Sequence, residues 1–251
     1  EVTIRDLFKG AGINNEEEML DFRFDLLKDS IEYETKLWEV IHSLIGTPTL
    51  FNGTEFFQTG YETPSHNFYV ANRNQTLHEL KNDKRFGKYY ERMQSIASLY
   101  QKPDLSAIRN GFPVSGNLGK EGDLEFYPLY RYDEKGSKVI SLITDNGIPK
   151  NQRVNECHDT QNKTHTLNSI KLDFDGKEVL EDKMPLKRIY LQDDKYVVDD
   201  NEYVLEKHNV NGKVTYEIKN KNGGNIRLQG TVETFYFPKS ELNGKKATMR
   251  A

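Results

Sequence analysis

Disulfide chemistry is missing from this sequence, because its one cysteine, Cys157, has no second thiol to pair with. That fits a cytoplasmic protein, or an exported one from an organism that does not depend on disulfides. Long apolar runs are missing too: nothing approaches the roughly 18 to 20 residues that cross a bilayer as a helix. No basic block offsets the formal charge of -4, which argues against a general nucleic-acid partner. There is no glycine-rich phosphate loop, no Gly-x-Ser-x-Gly elbow and no Cys/His nucleophile arrangement. The chain opens on Glu1 with neither a methionine nor a charged-then-apolar leader, and this is read as a segment lost upstream. Tryptophan occurs once, as Trp38, yet the other aromatics are plentiful, with 14 Tyr and 13 Phe. In a strand-rich chain such residues fill pleated surfaces; the functional alternative is stacking against sugars or peptides.

What is present divides into two textures. The stretch "NNEEEMLDFRFDLLKDSIEYETKLWEVIHSLIG" offers Asn14 or Asn15 as a helix N-cap, followed by three glutamates suited to the positive helix end. Leu20, Phe24, Leu27, Ile31, Trp38, Ile41 and Ile45 recur at steps of three and four, or multiples of them, and form an apolar stripe. Gly46 supplies a stop and Pro48 prevents continuation. The run exceeds ordinary helix length, which leaves room for a break near residues 28–30. A second helix is predicted over about residues 84–102, with Tyr89, Met93, Ile96 and Tyr100 on one face and Pro103 at its end. From about Glu125 the pattern becomes short alternating or β-branched runs separated by turn signals such as Asp175-Gly176, Asn211-Gly212 and Asn222-Gly223-Gly224. Eight or more such strands predict an antiparallel sandwich or related barrel. The boundary falls near residues 115–123, giving an α+β chain.

The order of pieces resembles the C-terminal portion of the α-amylase clan, glycoside hydrolase family 13. The last strand of that family's (β/α)8 barrel reads like G-x-P-x-x-x-x-G-x-E, met here by Gly46, Pro48, Gly53 and Glu55 in "GTPTLFNGTE". Its final barrel helix carries a phrase met by Ile96, Leu99, Pro103, Leu105, Arg109 and Gly111, and "LYRYDEKGSKVISLITDNG" looks like the opening of the β-sandwich that follows. The resemblance implies residues 1–118 as the tail of an amylase-like barrel and 119–251 as a β-sandwich. It also implies a starch- or glycogen-type α-glucan as substrate and a retaining mechanism in the intact enzyme. Barrel active sites lie at the C-terminal strand ends, which places Glu55 at the substrate rim. The following loop, with Phe57, Tyr61, His66 and Tyr69, would contact sugar. A structural carboxylate paired with a nearby base is the alternative for Glu55.

The catalytic carboxylates of that family, expected about 5 Å apart on different strands, belong to barrel segments that precede Gly46. About 115 residues cannot close eight βα units of roughly 30 residues each. "DFRFDLL" does place Arg23 two residues before Asp25, as in the family's nucleophile strand, and these are the catalytic candidates. Their amphipathic surroundings favour a helix surface instead. The expectation is therefore a chain that supplies a cleft rim and a stabilising β-domain, completed by the missing barrel segment or a partner chain, and secreted or at the cell surface rather than cytoplasmic. The rival reading is a non-catalytic carbohydrate-binding or surface-interaction protein, for which Tyr190, Tyr196, Tyr203 and Tyr216 are candidate platform residues.

No cofactor is expected. Cys157, His158 and His165 have metal-ligand atoms but no recognised spacing. Calcium would need Asp193-Asp194 and Asp199-Asp200-Asn201 to converge around "KYVV".

Overall fold

In the computed structural model of the chain, residues 9–13, 15–44, 81–148 and 162–239 are described. Helix α1 spans Glu16–Ser43, 28 residues, and Asn15 is its cap: the Asn15 side chain accepts a 2.8 Å hydrogen bond from the Glu18 N–H. This satisfies one of the orphan donors of the first turn. The helix runs unbroken through residues 28–30, where its length left room for a break, so one rod of about 42 Å crosses the molecule. Within its inward stripe Ile31 and Trp38 are buried, whereas Ile41 is exposed.

Helix α2 spans Gly87–Ser98. Asp83 starts it by accepting from the Arg85 and Phe86 N–H groups at 2.8 and 3.3 Å. Its face of Tyr89, Met93 and Ile96 packs with Ile31 and Trp38 of α1, and Phe24 meets Phe86 edge-on at 5.6 Å. After α2 the chain tightens into two 3-10 turns, Leu99–Gln101 and Pro103–Leu105, because Pro103 cannot continue a helix. A short helix α3, Ala107–Asn110, then hands the chain to strand β1, Phe112–Ser115. No described helix is long and apolar enough to cross a membrane.

The expected α+β class with an antiparallel β part is what the fold contains. The strands are β2 (Gly119–Glu121), β3 (Leu124–Tyr132), β4 (Lys138–Thr144), β5 (His165–Leu167), β6 (Ile170–Leu172), β7 (Met184–Gln192), β8 (Lys195–Val198), β9 (Tyr203–Val210), β10 (Lys213–Asn220), β11 (Ile226–Leu228) and β12 (Val232–Tyr236). Ten of the twelve strands among the described residues form one antiparallel sheet in the order β1-β3-β4-β12-β7-β9-β10-β6, with β2 added beside β3 and β8 beside β7; β5 and β11 pair separately. This sheet curls rather than splitting into two facing layers. Its extremes meet where the Asn117 N–H donates to the Asp173 carbonyl at 2.7 Å. Gly116 permits this closure, since a Cβ there would lie 2.8 Å from the Asp173 oxygen and 2.6 Å from Pro128. The β9–β10 hairpin turns on Asn211-Gly212, both at positive φ (55° and 83°), the conformation a tight two-residue hairpin demands.

Strand alternation sets two apolar layers. The inner face collects Phe126, Tyr130, Ile140, Leu142, Leu186, Leu205, Tyr216 and Phe235 into the main core. The outer face of β4, β7 and β12 offers Val139, Ile189 and Tyr236 to Leu99, Leu105, Ala107 and Ile108.

Strand β7 changes partners along its length. Met184 to Leu186 pair with β9, while Ile189 to Gln192 pair with β8 on the same edge, so residues 199–202 bulge between them. Arg188 lies at this change, buried, with its guanidinium on Asp199, on the Arg227 carbonyl and 3.4 Å from Glu233. Replacing it would strand two buried carboxylates, a loss of roughly 3–5 kcal/mol. Arg188→Met is therefore expected to lower the urea midpoint sharply, and Arg188→Met with Asp199→Asn and Glu233→Gln to recover much of the loss. Equilibrium unfolding followed by circular dichroism measures both.

Candidate functional site

Docking of the two helices on the sheet leaves a cleft of about 720 Å³. Lys28, Glu32, Lys36 and Glu39 recur at steps of three and four and so share a flank of α1, where with Phe24, Asp29 and Thr35 they form one wall. Lys88, Tyr89 and Arg92 of α2 form another. The β7–β8 turn contributes Leu191, Asp193 and Asp194, and the link into β12 contributes Gly230 and Thr231. Asn162 completes the lining.

Arg92 ties these walls together. Its guanidinium donates to Glu32 at 2.7 Å, to Thr35 Oγ1 at 3.2 Å and to Asp194 at 2.5 Å, and it lies 5.3 Å from the Tyr89 ring centroid. The Tyr89 hydroxyl donates to the other Glu32 oxygen at 2.9 Å. Burial opposes ionisation of Glu32. The charge and hydrogen bond of Arg92, helped by Tyr89, outweigh that cost and hold the carboxyl below its ordinary range.

Glu39 behaves in the opposite way. It is 3% exposed, and the Tyr196 hydroxyl of β8 donates to its Oε1 at 3.0 Å. Burial pushes its carboxyl up to about 8, and the nearby Glu233 carboxylate adds to the rise against the opposing bonds from Tyr196 and the Val232 N–H. At neutral pH Glu39 is thus mostly a neutral carboxylic acid, a group able to donate a hydrogen bond or a proton into a polar cleft. Glu233 is also raised, chiefly by burial. Its Oε1 accepts from the Gln229 and Gly230 N–H groups, each at 2.7 Å.

Glu55, Phe57, Tyr61, His66 and Tyr69 fall outside the described residues, as do Gly46, Pro48, Gly53, Cys157 and His158. Arg23 lies in α1, and Asp25 is exposed on that helix with Lys28 at 3.6 Å. Asp25 does not line the cleft. Of the four tyrosines considered as a platform, Tyr203 and Tyr216 are buried in the core and Tyr196 is turned onto Glu39. Tyr190 lies under the Arg188 guanidinium at 4.4 Å.

The two acidic loops considered for calcium stand at opposite ends of β8 and do not converge, with Asp194 held by Arg92 and Asp199 by Arg188. A different trio, Glu206, His208 and Glu217 on β9 and β10, brings ligand atoms within 4.8 Å of one another, an arrangement that could hold a metal ion. The Lys219 ammonium already sits 2.7 Å from Glu206 and 3.0 Å from Glu217, supplying the positive charge.

Sequence reading missed the cleft residues because α1, α2 and the β-turns that form it are far apart in the chain. One local signal was available: Thr35 and Glu39 interrupt the apolar stripe between and beside Ile31 and Trp38. Compared with known proteins, the chain matches no family model, no curated sequence and no solved structure.

The raised Glu39 carboxyl makes stability depend on pH with a definite sign. The unfolded chain releases this proton near pH 4.5, the folded chain near pH 8, so the folded state holds more protons in between. Stability contributed by the neutral acid is complete below pH 4.5 and falls as pH rises to about 8, at roughly 1 kcal/mol per pH unit. Glu39→Gln keeps an acceptor for Tyr196 but cannot ionise. Its unfolding midpoint is expected to decline less between pH 5 and 8 than that of the parent chain, which denaturant titrations across that range will show.

Proposed function

We propose that this chain is the C-terminal portion of an α-glucan-processing enzyme of glycoside hydrolase family 13, a barrel tail followed by an antiparallel β-domain. One observation supports it above the others. The phrase from Ile96 to Gly111 forms the end of α2, two 3-10 turns and α3, and it delivers the chain directly to β1. Leu99, Leu105 and Ile108 of that phrase are buried against Val139, Ile189 and Tyr236 on the outer face of the sheet. A final barrel helix fused to the following β-domain needs this kind of junction, because the two units share a buried apolar seam and keep a fixed relation.

In this reading the chain contributes a rim of the sugar cleft and a domain that stabilises it. The nucleophile and the acid come from barrel strands supplied by upstream sequence or by a partner chain. Those two carboxyl groups would form and break a covalent glucosyl intermediate with retention at the anomeric carbon.

The test is made on the native protein, captured from its source and characterised by intact mass, N-terminal sequencing and turnover of maltoheptaose. A longer polypeptide or a two-chain complex that releases α-anomeric products is the expected result. A native chain that begins at or near Glu1, has no barrel partner and leaves maltoheptaose intact would overturn the reading.

A further inference from the structure

We propose that the cleft between α1, α2 and the β7–β8 turn is a binding site for a short neutral oligosaccharide. Its chemical class follows from the lining. Among the described residues the lining carries four cations, Lys28, Lys36, Lys88 and Arg92, and four carboxylates, Asp29, Glu32, Asp193 and Asp194. A ligand of strong charge in either sense meets as many like charges as opposite ones. A hydroxyl-rich neutral ligand makes use of both signs, because a carboxylate oxygen accepts from a hydroxyl while an ammonium or guanidinium group donates to one. Glu39, held neutral by burial, adds no charge to this balance.

Size and rigidity point the same way. A volume of about 720 Å³ lies within the ordinary range of small-molecule sites. Arg92 is fixed by Glu32, Thr35 and Asp194, so these polar groups are oriented before any ligand arrives, which reduces the ordering cost of binding. Phe24, half-buried in the same wall, sits edge-on to Phe86 and offers apolar surface suited to the C–H face of a pyranose ring. The binding role of the cleft needs no catalytic carboxylate.

The choice of an α-glucan among neutral sugars rests on the function proposed above; the class of neutral sugar rests on the cleft alone. The experiment is calorimetric titration of the full chain with maltotriose and, separately, cellotriose. It is repeated on Lys88→Met and Asp29→Asn, whose circular dichroism confirms folding, and on Tyr132→Ser as an exposed aromatic position outside the cleft. Saturable maltotriose binding is expected, weakened about tenfold or more by either cleft variant and unchanged by Tyr132→Ser. Cellotriose binding with the same variant pattern and no maltotriose binding would support the cleft site and remove the α-glucan assignment. Maltotriose binding indifferent to both cleft variants, or lost in Tyr132→Ser, would overturn the cleft site and leave the α-glucan reading standing. Absence of binding by either sugar would overturn the cleft site outright.

Discussion

Arg188 holds the place where this sheet stops being flat. Strand β7 pairs with β9 over its first residues and with β8 over its last, and the residues between those partners bulge as Asp199 to Glu202. The guanidinium engages Asp199 from that bulge, Glu233 from β12 and the Arg227 carbonyl from β11, while Tyr203 donates to the same Asp199 carboxylate at 2.5 Å. Burying three ionisable groups costs desolvation that their mutual attraction only partly returns, and among the described residues the Arg188 Nε has no hydrogen-bond partner. Aliphatic side chains could fill such a volume at less expense. What they could not do is fix four segments in one register, because apolar contacts are not directional. The knot therefore contributes geometry more than stability.

The rest of the architecture follows from the direction in which that knot sends β8. Beyond the bulge, β8 carries Tyr196 toward Glu39, and the turn before it carries Asp194 toward Arg92. Two helices are thereby fastened to the sheet by polar contacts at one end, with the Lys36 ammonium donating to the Gly147 carbonyl at 3.2 Å. One turn beyond Glu39, at the last residue of α1, Arg131 donates to the Ser43 carbonyl at 2.6 Å and satisfies one of the oxygens left over by the last turn. The apolar contacts of the helices are mostly with each other or, through α3, with the outer face of the sheet.

Much of this was legible locally. Asn15 reads as a cap because its side chain precedes three glutamates, and it does cap α1. Asn211-Gly212 reads as a hairpin because both residues tolerate positive φ, and it is one. The alternation in "KVTYEIKN" places Val214, Tyr216 and Ile218 inward as the pattern requires. Less legible was anything decided by partners far along the chain. Ile41 continues the apolar period of α1 yet is exposed, because neither α2 nor the sheet covers that part of the stripe. Glu39 reads as a polar-face residue, and partners far along the chain, Tyr196 157 positions away and the Val232 N–H, make its burial tolerable. Arg188 likewise sits in an alternating strand where a charge signals the solvent face, and nothing nearby announces Asp199 and Glu233 as its partners.

The polarity of the seam between helices and sheet is itself an argument about use. Two apolar clusters lie on either side of it, one between α1 and α2 and one between α3 and the sheet. Joining them with more apolar side chains would remove a cavity and its penalty. Instead the seam holds Arg92 between two carboxylates and a carboxyl group so buried that it keeps its proton at neutral pH. Each of those groups costs desolvation that the fold must offset elsewhere. Such a cost is intelligible at a surface that recognises something polar, because groups already desolvated and oriented lose little more when a ligand arrives. The most expensive part of this interior is therefore the part best prepared to bind.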